Sequence, residues 1–366
     1  MFFDEMQIRR GPTLILLAAC LVFMAGCVPA MLHFRPAVPQ PEDPGFVTVR
    51  DGRLYLGGER FRFVGVNVYS LASFPPGSGK YFCGRAHSDR DVAEIMSEVA
   101  AMGGGVIRLS AYQAFTEGGT DFSRLDLIVS EARRHGLRLI LTLENQWSDC
   151  TAGGYKRPDW YRSGYRSPYG GYPLSFVDYV RLIVSRYRDE PAILMWQVMN
   201  EAESVTGWGA AAPAELLAFA GHMAALVKSL DHRHPLSLGT NSIDRPGTDR
   251  DDFSALADVV AVDVIDAHDY DDELEPLPGD VREALVIAGL AGKPFFIGEV
   301  GIQSPPFSRE RRSELTRRKL EAAWNADVDG ILIWSYRAGD GTNRDFDARD
   351  PLAGTIRRFT SSHLAR

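Results

Sequence analysis

The sequence predicts an α/β fold, a (β/α)8 TIM barrel with a short N-terminal β-hairpin covering the barrel bottom, on three observations. Short apolar runs alternate with amphipathic stretches, the pattern of parallel βαβ units. Eight such runs can be counted, and eight strands close a barrel. Polar residues terminate the runs, where barrel strands open onto a site.

Taken in order, the chain starts with a leader. Arg9 and Arg10 close a short polar region, an apolar run covers Leu14 to Met24, and Ala25-Gly26-Cys27 follows. The run is too short for a spanning helix of about 20 residues and reads as an export signal. The small-small-Cys ending resembles a bacterial lipobox, which makes residues 1–27 a lipoprotein-type signal with Cys27 as the lipidated residue. An ordinary cleaved signal and an uncleaved anchor are the alternatives, and Cys20 is a rival site. Residues 28–45 hold Pro29, Pro36, Pro39, Pro41 and Pro44, a density that suits an extended tether. The folded (β/α)8 domain is expected over 46–361. The expected localisation is therefore outside the cytoplasm, on the membrane through an N-terminal lipid or secreted if unlipidated, as a monomer.

The hairpin pairs Phe46 to Val49 with Arg53 to Leu56 around Asp51-Gly52, a pair suited to a tight turn. The strand candidates follow: Phe61 to Val68, Gly105 to Ser110, Leu137 to Leu143, Ile193 to Met199, Pro235 to Thr240, Val259 to Ile265, Pro294 to Gly298 and Gly330 to Tyr336. Between them, Ser88 or Asp89 can cap a helix with Val92, Ile95, Val99 and Met102 at helical spacing. Ser175 precedes a second, with Phe176, Tyr179, Val180, Ile183 and Tyr187 on one face. Ala214 to Leu230 and Arg309 to Ala326 read the same way. An open doubly wound sheet also alternates strand and helix. Its Gly-rich phosphate turn has no counterpart here, because Gly103-Gly104-Gly105 precedes a strand instead of linking one to a helix.

With 45% hydrophobic and 24% charged residues the composition is that of a globular protein, and a net charge of −8 argues against nucleic acid as a partner. Outside the leader and tether only Cys83 and Cys150 remain. In an exported protein they can form a disulfide, although a single pair also arises by chance. His222, His232 and His234 fall in or after one helix without clustered carboxylates, so no metal and no cofactor is expected. Asp269, Asp271, Asp272 and Glu273 read as a solvated acidic loop in preference to a calcium site.

At the ends of the runs stand Asn67, Arg108, Glu144, Asn145, Asn200, Glu201, Asn241, His268, Tyr270, Glu299 and Trp334. Glu201 and Glu299 close the fourth and seventh. A glycosidic bond needs a proton on its leaving oxygen and electron density at the anomeric carbon, and two carboxyl groups supply both. Two adjacent carboxylates do not both ionise cheaply; an arginine beside Glu299 would keep it charged and leave the proton to Glu201. The alternative is a pair of strand-end acids in structural salt bridges.

The segments WQVMNE (Trp196 to Glu201) and PFFIGEVG (Pro294 to Gly301), with FRFVGVN, VIRLS, AHDY and ILIWSY in order, resemble glycoside hydrolase family 5 over Phe46 to Phe359. The resemblance implies a retaining β-glycanase acting on a carbohydrate polymer or oligosaccharide. Position by position it implies Glu201 as acid/base, Glu299 as nucleophile and Asn200 as the residue that bonds the sugar 2-hydroxyl. It further implies Arg108 and Tyr270 as supports of the nucleophile, His268 as a substrate-site histidine and Trp334 as the stacking floor. Asn67, Asn145 and Trp147 join this set at neighbouring strand ends. ENQW (Glu144 to Trp147) resembles the β-mannanase branch, whereas Ala202-Glu203 departs from the Pro-Arg usual there, which leaves mannan and β-glucan both open. Endo action is expected; exo-glycosidase or transglycosylase action and a non-catalytic carbohydrate-binding barrel are the alternatives.

The stretch after the third strand carries Trp147, Tyr155, Trp160, Tyr161, Tyr165, Tyr169 and Tyr172 among glycines. Aromatic faces can stack on sugars, so about half of these rings are expected to line subsites; the rest pack a long loop onto the barrel.

Overall fold

The structure, a computed structural model, describes residues 45–364 except 152, 207, 272–274, 340 and 342. The leader with Cys27, and the tether up to Pro44, lie outside the described residues. Among the described residues no helix is long and apolar enough to cross a membrane.

Strands β1 (Val47–Arg50), β2 (Arg53–Leu56) and β3 (Glu59–Arg60) form a small antiparallel sheet. Its tight turn is built on Asp51 and Gly52, both at positive φ. Eight parallel strands follow: β4 (Phe63–Asn67), β5 (Val106–Ser110), β6 (Arg138–Thr142), β7 (Ile193–Gln197), β8 (Leu236–Ser237), β9 (Ile265–Asp269), β10 (Phe295–Val300) and β11 (Gly330–Ile333). They run in the order β8-β7-β6-β5-β4-β11-β10-β9, and a bridge between Ser237 and Val264 closes the ring.

The helices are α1 (Asp89–Ala101), α2 (Ser123–Arg134), α3 (Pro158–Arg162), α4 (Phe176–Tyr187), α5 (Pro213–Leu230), α6 (Arg250–Ala257), α7 (Gly279–Leu290), α8 (Arg309–Asn325) and α9 (Pro351–His363). Helix α1 starts at a capping box in which Ser88 and Asp91 bond each other's backbone. Helix α4 starts at Ser175, whose hydroxyl accepts from the Asp178 N–H. Four of these helices are those expected from the sequence, each within a few residues; α2, α3, α6, α7 and α9 were not singled out.

Two strand expectations need correction. The sixth strand is Ile265–Asp269, not Val259 to Ile265. The apolar stretch before it turns on a Val262 N–H to Val259 carbonyl bond and leaves Val260 94% exposed. The true strand looks polar because Asp266 and His268 are carried inside the structure. The fifth strand shrinks to Leu236–Ser237 since Gly239 bends the chain at φ +85°, so close to strand four that a Cβ would fall 1.7 Å from the Met199 carbonyl.

The apolar interior has two parts. One lies between strands and helices; Val99, Ile128, Val180, Phe219, Leu320 and Ile356 belong to it. The other fills the barrel bottom, where Val47 and Leu54 of the small sheet meet Phe63, Val106, Ile140, Phe296 and Leu332. The hairpin thus covers the bottom and leaves the C-terminal ends of the strands as the open face.

Candidate active site

A cleft of about 580 Å³ opens at those C-terminal ends, lined by Asn67, Arg108, Asn145, Trp147, Asn200, Glu201, Tyr270, Glu299 and Trp334, among others. His268 lies buried beneath it. Of the strand-end residues singled out from the sequence, all but Glu144 and Asn241 therefore converge here, for a backbone reason. Strand β10 breaks register between Ile297 and Glu299, an irregularity that aims Glu299 inward. Glu201 sits at φ +54°, which costs a non-glycine residue roughly 1–3 kcal/mol. Flanking bonds hold it there: Asn200 N–H to the Glu144 carbonyl at 2.7 Å and Ala202 N–H to the Gly239 carbonyl at 2.8 Å.

Arg108 organises one side. Its Nη1 donates to Glu299 Oε1 at 2.7 Å and to Asn67 Oδ1 at 3.0 Å, Nη2 to Asn200 Oδ1 at 2.7 Å and Nε to Gln197 Oε1 at 2.7 Å. Asn67 in turn donates to the Gly298 carbonyl at 2.9 Å, and Asn200 to Asn145 Oδ1 at 3.0 Å. Tyr270 Oη donates to Glu299 Oε2. On the other side, Trp147 Nε1 donates to Glu201 Oε2. Trp334 lies parallel to Tyr69, with ring centres 5.4 Å apart.

His268 stands between the two carboxylates. Its Nδ1 is 2.9 Å from Glu201 Oε1 and 3.5 Å from Glu299 Oε2. One ligand-type atom from each of the three side chains lies within 4.8 Å of the others. The ring packs on the bare Cα of Gly298, where a Cβ would come 3.0 Å from Nε2. Burial opposes the imidazolium, but the charges of Glu299 and Glu201 and the bond from Glu201 overcome it, so the His268 pKa is raised. Burial likewise pushes Glu201 up; the hydrogen bond and charge of His268, aided by Trp147 and Arg108, outweigh it and leave that carboxyl below its ordinary value. This corrects the expectation that Glu201 alone must hold a proton. The two groups titrate as a coupled pair, and the proton belongs to Glu201 and His268 together.

The aromatic stretch after β6 is mostly core. Trp160 packs against Tyr161, Tyr165, Tyr169, Phe176 and Phe219, and only Trp147 of the seven rings lines the cleft. Tyr155 donates instead to Glu203 at 3.0 Å, a carboxylate that is 5% exposed and not solvated. Asp269 is not part of a solvated loop either, since Lys319 Nζ bonds both its oxygens at 2.8 Å; Asp272 and Glu273 lie outside the described residues. His222 bonds Tyr165 Oη, and His234 pairs with Asp231.

The sequence reading missed several cleft residues. Tyr69 stands two positions beyond Asn67, and Arg344 ten beyond Trp334; the strand-end rule that found their neighbours does not reach into loops. Gln197 does not line the cleft but accepts from Arg108 behind it; it sits inside β7 and was hidden by the apolar run around it. Cys83 and Cys150 are bonded and both line the cleft, joining the loop after β4 to the loop after β6.

No family model matches the chain. It is 27% identical over 233 residues to mannan endo-1,4-beta-mannosidase 1 of Solanum lycopersicum, covering 53% of each, so it spans about half the length of that relative. It is 25% identical over 303 residues to mannan endo-1,4-beta-mannosidase A of Emericella nidulans, covering 72% of this chain and 75% of the relative. In structure it resembles the endo-1,4-beta-mannanase from Rhizomucor miehei, with a TM-score of 0.70 at 18% identity over 88% of this chain and 100% of that one, a likeness of fold.

Proposed function

From the kinship of this chain with the glycoside hydrolase family 5 mannanases and cellulases, we propose that it hydrolyses a β-mannan-type polysaccharide within the chain, with retention at the anomeric carbon. The observation that carries this reading is the approach of Glu201, His268 and Glu299, with atoms of all three within 4.8 Å. Retaining glycosidases hold their carboxyls about 5–5.5 Å apart, whereas inverting ones leave roughly 6.5–9.5 Å for a water.

In this reading Glu299 attacks the anomeric carbon. Arg108 and Tyr270 each hold one of its oxygens, so the attacking lone pair has a fixed direction. Glu201 protonates the leaving oxygen, drawing on the proton it shares with His268. Once Glu299 is glycosylated its charge is gone and the shared proton has left on the leaving group, so an ionised Glu201 faces a neutral His268 at 2.9 Å. Glu201 then works as base, passing the proton of an incoming water to the pair. Trp334 forms the floor beneath the reacting sugar, and Asn200 reaches its 2-hydroxyl.

Export and a lipid anchor at Cys27 belong to the same proposal. The leader pattern supports them, and the bond between Cys83 and Cys150 suits an oxidising compartment.

The test is a screen of purified protein on mannan, glucomannan, cellulose and mixed-linkage glucan, with products resolved by size. Ladders from mannan are expected, together with a retained first-formed anomer by proton NMR. Glu299→Ala and Glu201→Ala are each expected to lose at least about 1000-fold in kcat/KM, since each removes a carboxyl that acts in the transition state. Near-native turnover of Glu299→Ala on every substrate would overturn the assignment.

A further inference from the structure

The cleft is lined by two arginines, and they differ in one respect. Arg108 has a carboxylate partner, Glu299 at 2.7 Å. So do other sheltered cations: Lys156 faces Glu144 at 3.5 Å, Lys319 faces Asp269 at 2.8 Å and Arg312 faces Asp350 at 2.5 Å. Among the described residues no carboxylate comes within 4.0 Å of the Arg344 guanidinium.

Arg344 is nonetheless held firmly. Its guanidinium lies over the Tyr270 ring, 4.9 Å from the centre. Gln303, with its amide oxygen turned toward the guanidinium, accepts from Nη1 at 3.3 Å and Nη2 at 3.1 Å. Gly301 makes this packing feasible, because a Cβ there would fall 2.4 Å from Tyr270 Cε1 and 2.8 Å from Arg344 Cδ. The loop is tied at its own backbone: Ser304 N–H donates to the Asn343 carbonyl at 2.7 Å, and Arg312 Nη1 to the Arg344 carbonyl at 3.4 Å. Its Nε is buried without a hydrogen-bond partner.

Among the described residues this half-buried guanidinium meets only a neutral amide and an aromatic face, and it retains most of its capacity for an anion. A planar fork of donors takes a carboxylate in two parallel bonds, the strongest pairing open to it. Neutral sugar hydroxyls would leave the charge uncompensated. Tyr270, on which Arg344 rests, also donates to Glu299, so the free cation stands one aromatic ring from the reacting centre.

We propose that Arg344 forms a subsite for a carboxylate carried by the sugar chain, so that the polymer cleaved is acidic or acid-decorated. This rests on the glycosidase reading above and narrows its substrate class. Three preparations of one mannan separate charge from shape: the neutral polymer, the polymer with part of its primary alcohols oxidised to carboxylates, and the oxidised polymer methyl-esterified. The carboxylated form is expected to exceed its ester in kcat/KM by about ten-fold or more at low salt, and added salt should shrink that lead. In Arg344→Gln the ratio should collapse toward one, and Arg344→Lys should retain part of it.

Equal rates of the native protein on carboxylate and ester would overturn the proposal. So would an Arg344→Gln variant that slows all three alike, which would mark Arg344 as a support of Tyr270 and Glu299 only. If the native protein cleaves none of the three, the glycosidase reading fails separately and calorimetry decides the subsite. Tighter binding of oxidised than of esterified mannohexaose, lost in Arg344→Gln, would sustain it, and equal binding would refute it.

Discussion

His268 is the residue on which the charge state of the site turns. It shares Nδ1 between two carboxylates, at 2.9 and 3.5 Å, and is 3% exposed. Its pKa is raised above the ordinary histidine value, whereas that of Glu201 is lowered below the ordinary carboxylate value. The pair therefore keeps one proton between the lowered carboxylate value and the raised imidazole value. Stability follows the same signs. The contribution of His268 is present in full below its unfolded value and is lost as pH rises through the raised folded one. That of Glu201 is present above its unfolded value and is lost as pH falls through the lowered folded one. Activity should be bell-shaped, with an alkaline limb above pH 6.5, the ordinary histidine value. In His268→Gln that limb is expected to move to lower pH, and kcat/KM at the optimum to fall on the order of 100-fold, the low end of what a positioned proton donor contributes. An alkaline limb that stays in place in the variant would show that the histidine does not share the proton.

At the scale of elements, the long loop after β6 is held by a buried ion pair. Glu144 is fully buried, the Lys156 side chain is 1% exposed, and Tyr169 donates to the same carboxylate. Replacing Lys156 by Met would strand Glu144 without a cation, at a cost of about 3–5 kcal/mol. Urea unfolding should register that loss, and the double variant Glu144→Gln/Lys156→Met should recover part of it; a single variant as stable as the native protein would refute the pairing. This loop also shows where sequence reasoning stops. Its aromatic residues were evident, but stacking on sugar and packing on Phe219 make the same demand on composition, and only coordinates reveal which way each ring faces. Strand β9 was misplaced for a related reason. Apolarity marks barrel strands where they are buried among apolar neighbours, and Asp266 and His268 are buried at the polar mouth. The two glutamates were legible because an acid that ends an apolar strand run is conspicuous. Arg344 was not, since it lies in the loop beyond β11 and its place in the cleft wall is set by contacts with Tyr270 and Gln303.

For the whole molecule, two long-range ties act at opposite ends of the barrel and should be separable. At the bottom, Leu54 is fully buried among Phe63, Val106, Ile140 and Leu332. Leu54→Ala removes side-chain atoms from a packed interior, which typically costs 2–5 kcal/mol. No residue lining the cleft belongs to that cluster, so kcat/KM should remain at the native level where the protein is folded. At the open face, the bond between Cys83 and Cys150 closes a loop with a sequence separation of 67 residues and forms part of the cleft wall. Constraining an unfolded loop of that length is worth about 4 kcal/mol in the chain-entropy model. The Cys83→Ser/Cys150→Ser variant should therefore lose stability comparable to that of Leu54→Ala. It should also raise KM, because the segment carrying Trp147 and Asp149 is no longer tied to the loop after β4. Denaturation curves and kinetics on one substrate test both variants together. The same rise in KM in Leu54→Ala would mean that general loosening of the barrel governs binding, and a disulfide-free protein with native KM would mean that the tie only stabilises the fold.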